Sequence, residues 1–201
     1  ACATLPTVRQ EQTDVVANAL NLNSNRIKAL GISLKTPNAL QVNGRQMPPV
    51  KINYKNGVKN GPSWDTGAYA VPASKAQWAI ISTEARLAEL RFVDNLISAG
   101  RTAGVAIDPP VFQEAGVTLA SMEQFFIRAK EMKLRILVIV SSIPGDHARI
   151  KELEQKHGVT TQEVKVESCR KGPQTMQNIC HKFNEKIGGV NIYVTPTDKM
   201  Y

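Results

Sequence analysis

One run constrains this chain more than any other: Leu134-Arg135-Ile136-Leu137-Val138-Ile139-Val140. It is apolar apart from Arg135 and rich in β-branched residues, so it reads as a buried strand. Strands of this kind belong to parallel sheets covered by helices on both faces. The residues that follow agree. A short loop, Ser141-Ser142-Ile143-Pro144-Gly145-Asp146, leads into a helical stretch over about 146–157, and Gly158 supplies its stop.

The same alternation continues on either side. Trp78-Ala79-Ile80-Ile81, Gly104-Val105-Ala106-Ile107 and residues 162–166 read as further strands. A helix is expected over 84–99, where Ala85, Ala88, Phe92 and Leu96 recur at three- to four-residue spacing and Gly100 ends it. Another is expected over 121–133, capped by Ser121 with Gln124 three residues on, and a third over 173–187, ended by Gly188-Gly189. Strand alternating with helix predicts an α/β domain over 77–201, a Rossmann-like parallel sheet flanked by helices. Ligands of such sheets bind outside the carboxyl ends of the strands, at the starts of the following helices.

Residues 1–76 have a different texture and predict an α+β linker segment. A helix is expected over 5–21, capped by Thr4 or Thr7, and a short one over 26–30, stopped by Gly31. Short strands are expected at 32–34, 39–42 and 50–54. The stretch 55–75 is rich in Asn, Gly, Pro and Ser and reads as irregular.

Composition narrows the partners. The 201 residues carry 25 Lys and Arg against 17 Asp and Glu, a net charge of +8. That balance suits acidic partners, namely nucleic acid, anionic lipid or phosphorylated ligands, and it also suits a solvated basic surface. Hydrophobic content of 42% supports a sizeable core and excludes wholesale disorder. No apolar run approaches the roughly 20 residues of a membrane-spanning helix, and no signal peptide is visible, so no membrane partner is expected. Cys2, Cys169 and Cys180 are odd in number and lack metal spacing. They read as free thiols of a reducing compartment, the cytoplasm or the nucleus.

Familiar catalytic patterns are missing. The loop 141–146 is neither a Walker loop nor a dinucleotide fingerprint, no Gly-x-Ser-x-Gly elbow occurs, and no cluster has zinc spacing. What the sequence offers is a place for a phosphate. His147 and Lys151 lie one turn apart on one helix. On the last helix Met176, Ile179, Cys180, Phe183 and Ile187 form an apolar stripe, while Asn178, Lys182 and Lys186 stand at i, i+4, i+8 on another face. Ammonium groups on successive turns repel one another, and an anion between them relieves this. A charge-assisted hydrogen bond contributes roughly 1.5–3 kcal/mol. Each pair alone also fits a solvated basic face. The convergence of both on one sheet favours the phosphate.

Here the chain resembles the Argonaute family. Residues 160–164 (Thr-Thr-Gln-Glu-Val), Pro173-Gln174-Thr175 and the ending Lys186-Ile187-Gly188-Gly189-Val190-Asn191 are similar to the signature of the family's MID domain. Upstream, Val42-Asn43-Gly44-Arg45, Pro48-Pro49, Tyr54, Trp64-Asp65 and Trp78-Ala79 look like the linker that precedes it and the domain's first strand. The resemblance runs along essentially the whole chain, in order. It implies the second linker plus MID domain of a eukaryotic-type Argonaute, with PAZ and PIWI absent. The slicer's carboxylates belong to PIWI, so this piece is not expected to cut RNA.

The family's phosphate pocket implies roles for Lys151, Gln162, Lys182 and Lys186, with His147 under the first base where the family has Tyr. That alignment needs a gap in the preceding loop. Without the gap the ring position falls on Ile150 and its Lys partner becomes Glu154. The base-reading loop is short here, at Ile143 to Asp146, which assigns Pro144, Gly145 and Asp146 beside the base. Glu163 is unexpected, because a carboxylate repels a phosphate unless it points away. The expected partners are the 5′-phosphorylated end of a guide small RNA and the PIWI and PAZ domains of the same protein. A monomer without cofactor or metal is expected. Two rival readings are the nucleotide-binding half of a metal-dependent phosphotransferase, with Asp146 as its carboxylate, and a protein-docking module with no nucleotide pocket.

Overall fold

A strand buried on both faces needs hydrogen-bond partners along both edges and helices above and below, and these fix the architecture. The computed structural model describes residues 4–34, 40–46, 48–60 and 67–195. They fall into two compact units, residues 1–46 and residues 47–201.

The first unit holds α1 (Pro6–Leu20) and α2 (Asn25–Lys28). Neither Thr4 nor Thr7 caps α1. Leu5 occupies the cap position without a side-chain bond, and Pro6 opens the first turn, where its missing N–H costs nothing. No residue of either helix is buried. The expected strands at 32–34 and 40–42 do not form, and residue 39 lies outside the described residues. Ile32, Leu34, Leu40 and Val42 are exposed. An alternating pattern makes no strand where no partner offers a ladder.

The second unit opens with β1 (Lys51–Tyr54) and β2 (Gly57–Asn60), an antiparallel hairpin turning through Lys55-Asn56. This corrects the irregular reading of 55–60. Residues 61–66 lie outside the described residues. Next comes β3 (Trp78–Ser82), a 3-10 turn at Leu87–Leu90, and α3 (Phe92–Thr102). The helix expected over 84–99 starts late because Arg91 sits in the left-handed region at φ 48. It also runs through Gly100, which is buried. A Cβ there meets Ile107 Cδ1 at 2.6 Å, so the glycine serves close packing and not termination. Residues 104–107 are not a strand. The Val105 N–H turns back to the Gly100 carbonyl at 2.8 Å, and the strand beside β3 is instead β4 (Gln113–Glu114).

Then follow α4 (Met122–Glu131), β5 (Ile136–Ser141), α5 (Asp146–His157), β6 (Thr161–Lys165), α6 (Val166–Cys169), α7 (Pro173–Lys186) and β7 (Tyr193–Thr195). Ser121 does not cap α4, because its hydroxyl is engaged with Thr118. β7 pairs antiparallel with β1.

The main sheet has the order β4-β3-β5-β6 with every pairing parallel, so the α/β expectation holds. Alternate residues of β3 and β5 serve opposite faces. Trp78, Ile80, Val138 and Val140 pack with Phe92, Leu96 and Phe183 from α3 and α7. Ala79, Ile81, Leu137 and Ile139 pack with Phe126, Ile150 and Leu153 from α4 and α5. Each fully buried aliphatic side chain contributes roughly 1.5–3 kcal/mol, and β5 offers one at nearly every position. β6 lies at the edge of this sheet.

Candidate functional site

Along β6 the sheet ends, and α5 and α7 flank the free edge. Between them lies a cleft of about 590 Å³ lined by His147, Lys151, Gln162, Glu163, Lys182 and Lys186, with Lys165, Ser168, Thr175 and Asn178 further along. The residues given phosphate and base roles from the sequence, Lys151, Gln162, Lys182, Lys186 and His147, thus meet at one place, from three elements.

Each arrives for a local reason. On α5, Ile150 and Leu153 face the core, which turns His147 and Lys151 outward to the cleft. On α7, Met176, Ile179, Cys180 and Phe183 are buried, leaving Lys182 and Lys186 on the cleft side. On β6, Gln162 is 5% exposed, so its side chain is held against the sheet. Its amide Nε2 donates to the Glu163 carbonyl at 2.6 Å, while its Oε1 has no protein partner.

The carboxylates are committed. Glu163 turns to His147 Nδ1 at 2.5 Å. Glu154 takes Lys151 Nζ and the Thr161 hydroxyl. Burial alone raises the Glu154 pKa, and those two bonds, with the Thr161 N–H and the Lys151 charge, together hold the carboxyl below its usual range. Lys186 Nζ donates to the Thr161 carbonyl at 2.6 Å. Its pKa is lowered, first by desolvation and then by repulsion from Lys151 and Lys182, against the pull of Glu154 and Glu163. The residue as a whole stays exposed, so water screens part of this effect. Lys182 forms no ion pair among the described residues. The cleft therefore holds positive charge in excess of its carboxylates.

The structure separates the remaining candidates from this group. Pro144, Gly145 and Asp146 do not line the cleft. Gly145 caps α5 in the left-handed region at φ 80, and Asp146 is buried in the first turn with Oδ2 unpartnered. The loop 141–146 spends its polar groups on its own fold: the Ser142 N–H donates to Thr83 Oγ1 and the Ile143 N–H to Ser141 Oγ. The cleft runs along the edge strand β6, reaching its carboxyl end at Lys165 and the first turn of α5 at His147. Sequence reasoning passed over Lys165, Ser168 and Thr175. Thr175, Asn178 and Lys182 share one helical face at i, i+3, i+7, a spacing that points to them.

No family model matches the chain. It is similar to the Argonaute protein wago-1 of Caenorhabditis elegans, 27% identical over 216 aligned positions, covering 98% of this chain and 23% of that protein. The chain thus spans about a quarter of the relative's length. In fold it is similar to the MID domain of Arabidopsis thaliana AGO5, with a TM-score of 0.53 and 22% identity over 64% of this chain and 97% of that one. It is also similar to Drosophila Piwi, with a TM-score of 0.67 and 16% identity over 97% of this chain and 30% of that structure.

Proposed function

We propose that the chain is an Argonaute MID-type segment and that it seats the 5′-phosphorylated end of a small guide RNA in the cleft along β6. One observation supports this above the others. Lys151, Lys182 and Lys186 converge from two helices on one cleft with too few carboxylates to neutralise them, and Lys186 is held in a state that an anion relieves. A phosphate monoester at the cleft carries up to two negative charges and several acceptor oxygens, which suits three ammonium groups and an amide.

The roles follow from position. Lys182 and Lys186 take phosphate oxygens from α7. Lys151 joins by leaving Glu154, which keeps the Thr161 hydroxyl as a partner. Gln162 donates its amide once the Glu163 carbonyl is released. His147 is 67% exposed at its side chain and is oriented by Glu163, so its ring offers a stacking face to the first base. Any strand cleavage by the whole protein is assigned to domains outside this segment, and PIWI and PAZ are proposed as its neighbours in the full-length protein.

The test is an NMR titration with two nucleoside 5′-monophosphates that differ in base, and with the matching nucleosides. Amide shifts at Lys151, Gln162, Lys182 and Lys186 that require the phosphate are expected. Shifts of equal size with nucleoside alone, or shifts confined to the loop 141–146, would overturn the assignment.

A further inference from the structure

A second recess lies on the other side of α7, away from the β6 edge, and the phosphate reading makes no use of it. It consists of two cavities, about 620 Å³ and about 350 Å³, that share Asn95 and Lys171 and so form one groove between α3 and the α6–α7 connection. Its ends differ in chemistry. The larger cavity is walled by Arg86, Arg91, Arg170 and Lys171 against Glu84 and Glu89. Arg86 pairs with Glu89, whereas Arg91, Arg170 and Lys171 form no ion pair among the described residues. The smaller cavity carries Ala99, Pro173 and Met176 and is more apolar.

Two backbone features add to the charge. α3 and α7 both begin at this groove, at Arg91 and Gly172, and neither has a side-chain cap. In α3 the first-turn N–H groups favour negative charge nearby, part of which Asp94 already supplies, whereas in α7 Pro173 has no N–H and Thr175 donates to the Gly172 carbonyl, so that end contributes through Gln174. Arg91 also holds a left-handed φ of 48, a conformation that an arginine adopts at some cost and that sets its side chain on the groove's rim.

We propose that this groove docks a linear acidic peptide from a partner protein, with carboxylates at Arg91, Arg170 and Lys171 and an aliphatic side chain against Ala99, Pro173 and Met176. Charge complementarity selects the sign of the occupant. The apolar end selects peptide over RNA, since no aromatic side chain lines either cavity to stack a base. The thiol of Cys169, although it borders the groove, is buried and pushed up to about 12, so it remains a packing group and not a reactive one.

The experiment is a selection of random nine-residue peptides displayed on phage against the full chain, with the double variant Arg91→Glu, Arg170→Glu as the counter-target. Enriched peptides are then measured by fluorescence anisotropy against both proteins and against Ser98→Trp, which fills the apolar end from an exposed position. The expected result is enrichment of sequences joining Asp or Glu to Leu, Ile or Val, with affinity at least about tenfold lower for each variant. Circular dichroism melts of both variants confirm an intact fold, since all three positions are exposed. No enrichment of acidic sequences, or binding unchanged in the variants, overturns the proposal. Single-stranded RNA that competes for the groove and loses affinity with the same substitutions overturns it in favour of a second nucleic-acid contact.

Discussion

Lys186→Met separates a ligand-binding lysine from a structural one. In the folded chain the ammonium makes one hydrogen bond, to the Thr161 carbonyl, and is opposed by desolvation and by two neighbouring lysines. Methionine keeps the length and the apolar stem and removes both the bond and the repulsion. The net effect on folding is therefore expected to lie within about 1 kcal/mol of zero, as for most exposed positions. For a bound phosphate the two terms do not cancel. The lost charge-assisted hydrogen bond contributes roughly 1.5–3 kcal/mol, and the exposure of Lys186 places it near the lower figure, about tenfold in affinity. Titrations with uridine 5′-monophosphate and with uridine, alongside urea unfolding of both proteins, make the measurement. The nucleotide should weaken about tenfold while uridine and the unfolding midpoint stay nearly unchanged.

The pH dependence has a fixed sign. The folded pKa of Lys186 lies below its ordinary 10.5, so the charged form is disfavoured by folding. That penalty is complete below the folded pKa and disappears as pH rises towards 10.5, where both states become neutral. Nucleotide affinity should accordingly fall as pH rises through that alkaline window in the wild type, earlier than for an ordinary lysine, and less steeply in Lys186→Met. Equal losses for nucleotide and nucleoside, or a large loss of stability with no change in binding, would refute the reasoning.

Three further outcomes are expected. Glu163→Gln removes the cleft's own carboxylate and should strengthen nucleotide binding by roughly two- to fivefold, the effect of a surface charge worth up to about 1 kcal/mol, as read in the same titration. Gly189→Ala drives a Cβ to within 2.3–2.5 Å of the buried Asn184 amide, which holds the Ala73 N–H and Asn191. Overpacking plus an orphaned polar group should cost about 2–4 kcal/mol in urea unfolding. Glu123 accepts Lys156 and His157 of α5 and pairs with Arg149, and those bonds hold it down to about 2 from 4.5. Its contribution is present above 4.5 and lost as pH falls towards 2, so the destabilisation by Glu123→Gln in thermal melts should shrink over that window.

What was legible in the sequence depended on how locally each feature is determined. β5 and α5 could be read because their apolar residues and the stop at Gly158 lie within the segment itself, and α7 because its stripe is regular. Elements that depend on distant partners could not. β7 exists because β1 lies beside it, across some 140 positions of sequence. β4 has only two residues and carries no periodic signal, while Val105 and Ile107 look strand-like because they are buried, although Val105 bonds back to α3. The β1–β2 hairpin turns at Lys55-Asn56, with Gly57 already opening β2, so the Asn56-Gly57 pair is a turn signal displaced by one residue in a stretch dominated by polar residues. At the site, residue types and spacing pointed to His147, Lys151, Lys182 and Lys186, and Gln162 came only with the family resemblance. They could not show that Glu163 orients His147, because that contact depends on α5 crossing beside the β6 edge.

That crossing explains why the candidate site lies on an edge strand. A free strand edge presents unpaired carbonyl and N–H groups, and an exposed one invites another strand to add to it. Along β6 the Thr161 and Glu163 carbonyls, two residues apart, point outward on the same side and away from β5. Both are taken by side chains, the first by Lys186 and the second by Gln162. The groups that satisfy the edge are thus the same groups proposed to hold the phosphate. They guard a strand that would otherwise be sticky, and they are kept in place by neutral carbonyls, which bind an ammonium less strongly than a phosphate does. A phosphate in the proposed site would meet donors already ordered along one strand edge, displacing the Thr161 and Glu163 carbonyls. Preorganisation of this kind lowers the cost of ordering long lysine side chains at the moment of binding, the term that otherwise makes exposed lysine sites weak. A cleft over the carboxyl ends of the central strands lacks this advantage, since the loop 141–146 spends its polar groups on Thr83 and Ser141.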